Sequence, residues 1–224
     1  MDYPYIDFHT HSRLYQDDVI EVVSLHRDQI KDVKYYTVGH HPWWSEHRLS
    51  PGLLGSLADK YTNDSYCLGI GECGLDLLRG KDLDLQEEIF IQQVELANRL
   101  NAPVVVHCVR AYDRIIRLRQ KYGHTPWVVH GYVRNKILGQ QLVDNGFYLS
   151  MAPSIEIKQT FVDTLKFVPL DKMFLETDRD FSIGIMERYA FFAQLRGMDI
   201  IDLRCQMYQN FISFYKEKWK YHHG

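Results

Sequence analysis

The sequence predicts an α/β protein built on a parallel sheet, and three observations predict it. Short runs of β-branched and aromatic residues recur along the chain; helical patterns with apolar residues three and four apart lie between many of them; and no linker-like stretch, long charge run or internal repeat divides the 224 residues. Continuous apolar runs, as opposed to alternating ones, belong to strands covered on both faces, as in a parallel sheet under helices. A single domain, 1–224, is expected, and strand count alone leaves a closed barrel and an open doubly wound sheet as alternatives.

The first run is Pro4–His9, and only Ser12–Asp18 separates it from the second, Val19–Leu25. Lys34–Gly39 and Cys67–Gly71 follow. From Leu85 to Leu100 a helix is expected, with Ile89, Phe90, Val94, Ala97 and Leu100 on one face, Asp84 as N-cap and Glu87 as its capping-box partner. Pro103–His107 is the fifth run, succeeded by a helix carrying Tyr112, Ile115, Ile116 and Tyr122. Trp127–His130 leads into a helix within Arg134–Asn145 that offers Ile137, Leu138 and Leu142. Phe147–Met151 and Lys172–Glu176 complete eight runs, and Ile201, Cys205, Tyr208, Ile212 and Tyr215 form a last amphipathic helix. His222 and His223 are expected in an unstructured end.

Hydrophobic residues make up 46% of the chain and charged residues 25%, with a formal net charge of −3. That composition excludes a disordered chain and a disulfide-built miniprotein. It also argues against an extended basic surface for nucleic acid, while leaving room for a phosphate held through metal ions. The start of the chain, with Asp2 and Pro4, does not read as a signal peptide, so cytoplasmic residence is expected. Cys67, Cys73, Cys108 and Cys205 show no metal-binding spacing and read as reduced, mostly buried thiols.

Metal-binding residue types close the apolar runs. His9 and His11 end the first, Glu72 the fourth, His107 the fifth, His130 the sixth and Asp178 the eighth. In parallel α/β folds the carboxyl ends of strands gather at one face, so four imidazoles and two carboxylates are expected to meet. Without a cation or a hydrogen-bond partner, burying that set is costly. Six N and O ligands are too many for one tetrahedral site and about enough for two open sites sharing a carboxylate, and they suit zinc or manganese better than magnesium. Cys73 and Cys108 follow Glu72 and His107 and so point the other way, into the core.

The ordered set His9-x-His11, Gly39-x-His41-Pro42, Gly71-Glu72-Cys73-Gly74-Leu75-Asp76, His107-Cys108, His130-Gly131 and Glu176-Thr177-Asp178 resembles the TatD family of metal-dependent deoxyribonucleases and related hydrolases. The resemblance implies a TIM-type (β/α)8 barrel holding two divalent ions, zinc, manganese or magnesium. His9, His11 and Asp178 would serve the first ion, His107 and His130 the second, with Glu72 bridging. It implies hydrolysis of phosphodiester bonds, in DNA or a small phosphodiester, with Asp178 and Glu72 as catalytic carboxylates and Asp178 orienting or deprotonating the water. The chain departs from the family's usual pattern at Arg179-Asp180-Phe181, where Ser-Pro is common, and at Tyr132, where Phe is common.

His41, Arg110 and Tyr132 are expected to line the substrate, His41 either contacting a phosphate or supporting a ligand from behind, with Trp43 and Trp44 on a bordering loop where an indole can stack on a base. Arg110, Arg114, Arg117 and Lys121 form a stripe that reads as a solvated helix face, from which Arg110 alone reaches the site. Asp76 is expected to order a loop arginine such as Arg79. An eight-fold barrel typically takes about 250 residues, so helices are expected to be abbreviated after the first strand and between Leu25 and Lys34. That would leave strands two and three exposed or covered by a partner such as a second copy. Two other functions compete: C–N bond hydrolysis on the same barrel, for which no lysine sits at a bridging strand end, and a metal-binding scaffold without turnover.

Overall fold

A computed structural model of the protein describes residues 3–25, 32–153 and 158–223, the final three by backbone alone. Among these are eight strands in chain order: β1 (Tyr5–Thr10), β2 (Val19–Leu25), β3 (Tyr35–Val38), β4 (Cys67–Asp76), β5 (Val104–Val109), β6 (Trp127–Val129), β7 (Phe147–Met151) and β8 (Met173–Leu175). The helices are α1 (Pro51–Asn63), α2 (Leu83–Leu100), α3 (Tyr112–Tyr122), α4 (Lys136–Asp144) and α5 (Gln159–Phe167), which fall one each between the strands from β3 to β8, and α6 (Ile185–Arg196), α7 (Ile200–Phe214) and α8 (Lys216–His223), which follow β8. The fold is α/β, of the TIM-type (β/α)8 class that the resemblance implies. Two compact units make it up, one of residues 1–23 and 130–214, the other of residues 24–129 and 215–224.

In the first unit β1 pairs in parallel with the start of β2, and β7 with β8. A bridge between Thr10 and Asp178 then ties the end of β1 to the segment after β8. The core is aromatic: Phe8 stacks on Phe174 at 3.9 Å, and Phe214 from α7 meets both edge-on. Tyr189 of α6 fixes β1 by donating its hydroxyl to the Ile6 carbonyl and accepting from the Ile6 amide, each at 3.1 Å. Apolar and polar residues mix around α6 because its inner face carries Arg188, which is fully buried; that mixing hid the helix from periodicity. Arg188 donates to the carbonyls of Pro153 and Asp180 and pairs with the Asp180 carboxylate, so the unusual Asp180 anchors the loop after Asp178.

In the second unit β3, β4, β5 and β6 pair in parallel. Helix α1 was unforeseen because Gly52 and Gly55 dilute its pattern, yet it starts on sound signals: the Ser50 hydroxyl accepts from the Leu53 amide and Pro51 occupies the first turn. The N-cap of α2 is Asp82, not Asp84; the helix begins at Leu83, and Asp84 and Glu87 instead pair with Arg114 of α3. His222 and His223 close α8 and are not an unstructured end.

No helix interrupts Ser12–Asp18, as expected; the shortened connection expected after Leu25 falls on residues 26–31, outside the described residues. Strand β3 is not exposed. All four of its residues are buried within this chain, with Trp219 of α8 tilted against Tyr35 at 5.2 Å. The C-terminal helix thus supplies cover that the sequence assigned to a partner. No helix among the described residues is long and apolar enough to cross a membrane.

Candidate metal centres

In the first unit the site grows from the Thr10–Asp178 bridge. The His11 amide donates to the Asp178 carbonyl at 3.1 Å and the Asp178 amide to the His9 carbonyl at 2.9 Å, which sets the Asp178 backbone between the two histidines. Asp178 itself takes a left-handed conformation (φ 52°), which Asp tolerates better than most residues. The result is convergence: His9 Nε2 lies 3.3 Å from His11 Nε2, and Asp178 Oδ1 lies 3.3 Å from His11 Nε2 and 3.8 Å from His9 Nε2. Two imidazole nitrogens and a carboxylate oxygen facing one point form a donor set that suits a divalent cation. His130 stacks on the His9 ring at 3.9 Å.

Behind these residues lie buried carboxyls. Asp7 accepts from the Thr177 amide at 2.9 Å and from its hydroxyl at 2.6 Å, which pins the Glu176-Thr177-Asp178 turn to β1. Burial pushes the Asp7 carboxyl up to about 7, against the pull of those two bonds. Glu176 accepts from the Gly131 amide and stands 3.9 Å from His130 Nδ1; burial also pushes its carboxyl up.

The second unit builds its cluster from strand register. Between Ile70 and Cys73 an extra residue bulges β4, and beyond the bulge Gly74 pairs with His107 of β5. Period-two alternation puts Glu72 and Asp76 on the face of β4 that Gly74 shares, on either side of His107. Gly74 (φ 146°) is required there, since a Cβ would lie 2.0 Å from the His107 carbonyl oxygen. His107 Nδ1 is 2.8 Å from Glu72 Oε1 and Nε2 is 3.1 Å from Asp76 Oδ2. A neutral imidazole has one N–H, so with carboxylates at both nitrogens it needs either a second proton or a cation in its place. That demand is the fit expected of a metal ligand with an orienting carboxylate behind it.

His41 completes this group, its Nε2 3.0 Å from Glu72 Oε1. Its Nδ1 accepts from the Trp43 amide at 3.2 Å, so in the neutral ring Nε2 carries the proton and donates to Glu72. The ring is therefore placed to orient Glu72. Asp76 holds more than His107: Oδ2 accepts from Trp43 Nε1 at 2.6 Å, and Oδ1 from the amides of Leu78 and Arg79. Burial pushes its carboxyl up, but the bonds from His107, Trp43 and Leu78 outweigh that and hold it at about 2.

Of the expected ligands, His9, His11 and Asp178 meet in one unit, and Glu72 and His107 in the other. Glu72 is not a strand end, because β4 runs on to Asp76. Tyr132, expected at the substrate, is fully buried with its hydroxyl donated to the Asn135 carbonyl, so it packs. Arg110 precedes α3 as an exposed residue, while Arg114 and Arg117 of the stripe pair with acidic neighbours, as a solvated face requires. Trp43 and Trp44 lie on a 3₁₀ turn, Pro42–Trp44, and not on an open loop. Asp7 was missed: nothing in Pro4–His9 marks it as more than a polar residue in a strand.

A protein-family model described as "TatD related DNase" matches residues 8–216. The human protein named deoxyribonuclease TATDN3 is 30% identical over 150 residues, covering 59% of this chain and 54% of that protein. The Escherichia coli K12 protein YcfH, named an uncharacterized metal-dependent hydrolase, is 29% identical over 126 residues, covering 54% and 48%. The chain spans about half the length of the curated relatives it matches. The crystal structure of YJJV, a TatD homologue from the same bacterium, covers 95% of this chain and 98% of its own with a TM-score of 0.79 at 21% identity, which is a likeness of fold.

Proposed function

From the premise that the chain belongs to the family of TatD-related DNases, we propose that it is a metal-dependent hydrolase of phosphodiester bonds, with DNA as substrate. The convergence of His9 Nε2, His11 Nε2 and Asp178 Oδ1, all within 4.8 Å of one another, carries this reading, because two imidazole nitrogens and a carboxylate oxygen so placed form a donor set for a divalent cation. The relatives' names, deoxyribonuclease and metal-dependent hydrolase, support it.

His9, His11 and Asp178 would hold one divalent ion, and Glu72 and His107 would serve a second. When bound, such ions supply Lewis acidity, polarising a phosphoryl oxygen and bringing the pKa of water towards neutrality. The chain's residues do the rest. Asp178, a third exposed, is open to solvent and is positioned to accept the proton of the attacking water at its carboxylate. The buried imidazole of His41 keeps Glu72 aimed. Asp76 fixes the ring of His107 through Nε2, so that Nδ1 would be the atom offered to an ion.

The test is to strip the protein of metal and restore zinc, manganese or magnesium singly, then compare a single-stranded oligonucleotide, a simple aryl phosphodiester and an anilide. Cleavage of the phosphodiesters is expected with at least one metal. Turnover of the anilide alone would move the protein to C–N hydrolysis, and silence on all three would make it a scaffold.

A further inference from the structure

The turn after β4 carries a cation that the mechanism above does not use. Arg79 is exposed, and its guanidinium lies over the Trp43 ring, 4.6 Å from the centroid. Among the described residues it pairs with no carboxylate. Its support is unusually complete for an exposed arginine. Asp76 holds the indole N–H of Trp43 and the amide of Arg79 itself, so one buried carboxylate seats both partners of the stack. Gln86, buried in α2, then fixes the turn by donating to the carbonyls of Asp76, Arg79 and Lys81 and accepting from the Asp76 amide. The same carboxylate holds His107, and the Trp43 and His107 rings are 5.9 Å apart. Two leucines share this rigid turn, Leu77 at 55% and Leu78 at 59% exposed, giving an apolar surface beside the cation.

A stacking contact at an exposed site contributes only about 0.5–1 kcal/mol, too little to explain why a turn should be fixed so fully. A guanidinium that is already ordered, by contrast, loses little freedom on binding an oxyanion and offers it a planar fork of donors. We infer that Arg79, held on Trp43, is a phosphate-binding residue for a nucleic-acid phosphate next to the scissile one, with Leu77 and Leu78 against the nucleotide between them. The inference rests on the phosphodiesterase reading and sharpens it: a chain of phosphates engages Arg79, and a lone phosphodiester does not.

Arg79→Ala and Arg79→Lys separate the possibilities. On a single-stranded oligonucleotide, Arg79→Ala is expected to lower kcat/KM by about 10- to 100-fold, the value of one charge-assisted contact, chiefly through KM. On bis(4-nitrophenyl) phosphate it should change kcat/KM by less than about twofold, since no second phosphate is present. Arg79→Lys should recover part of the loss. Oligonucleotide binding measured in EDTA gives a readout free of turnover: affinity should fall in Arg79→Ala, and the slope of log K against log salt should drop by about 0.7, one phosphate's share for a single strand. Equal loss on both substrates, or no change in binding and salt slope, would overturn the assignment. If the wild-type protein cleaves neither substrate the phosphodiesterase reading fails, while the binding experiment still decides the role of Arg79; absence of wild-type binding in EDTA would end it.

Discussion

At the scale of single residues, the site depends on carboxylates that are not themselves ligands. Each acceptor position of Asp76 faces a donor: His107, Trp43, and the amides of Leu78 and Arg79. In Asp76→Asn an NH₂ group must face at least one of them. Metal affinity, measured by equilibrium dialysis, is expected to fall about 10- to 100-fold, as for other partners of ligand histidines. An affinity within about threefold of wild type, in a folded variant, would show that Asp76 does not position His107. Alternation already put Asp76 on the face of Glu72; ending the strand at Gly71 hid it, because a bulge cannot be seen in one strand alone. Cysteine reactivity tests the burial of the same sheet. Burial pushes the Cys67 thiol up to about 12 and raises that of buried Cys73 as well. Both are therefore protonated at neutral and mildly alkaline pH. Neither should be alkylated by iodoacetamide in the native protein at a pH of about 8, and both should be once it is unfolded. Rapid native labelling of either would contradict the packing of β4.

At the scale of elements, α8 has the most to explain, since it lies against β3 and helps to bury it. Trp219 is 3% exposed and lies against Tyr35, while Lys218 reaches the carbonyls of Tyr61 and Asp64. Truncating Trp219 to Ala should cost about 3–5 kcal/mol, the range for a large aromatic removed from a core. Urea denaturation measures this, and a loss below about 1 kcal/mol, the range of surface substitutions and mild truncations, would mean that α8 does not cover the strand. The helix itself was hard to read because Lys216–His223 is rich in charge and carries few apolar residues, so neither periodicity nor propensity distinguished it from an end. The eight strands were easier. Each is a short apolar run between turn residues, and seven of the eight begin and end within about two residues of the sequence expectation, the usual uncertainty of boundaries. Only β4 runs well past it.

At the scale of the whole molecule, neither compact unit is a continuous segment, which is why no linker marks the division. Each unit carries its own group of candidate ligands, so losses of metal should be separable. The wild-type protein is expected to bind two equivalents of metal by elemental analysis, and His11→Ala and His107→Ala to lose about one each. Retention of both equivalents in either variant would remove that residue from the ligand set. Metal should also raise Tm, since a ligand that binds only the native state stabilises by about 2.7 kcal/mol at a hundred times its Kd. A Tm unmoved by chelation and reloading would mean that no ion is bound to the native state. What the sequence determined by itself was local: the order and type of the strands, the thiols' place in the core, and the residue types offered as ligands, because apolar runs and strand-end polarity are properties of neighbouring residues. Only the tertiary structure decided that Tyr132 packs, that Asp7 holds Thr177, that Asp76 seats both His107 and the Trp43–Arg79 stack, and that α8 covers β3. Those outcomes depend on register, bulges and contacts between residues tens to more than a hundred positions apart, and spacing along one chain carries no record of them.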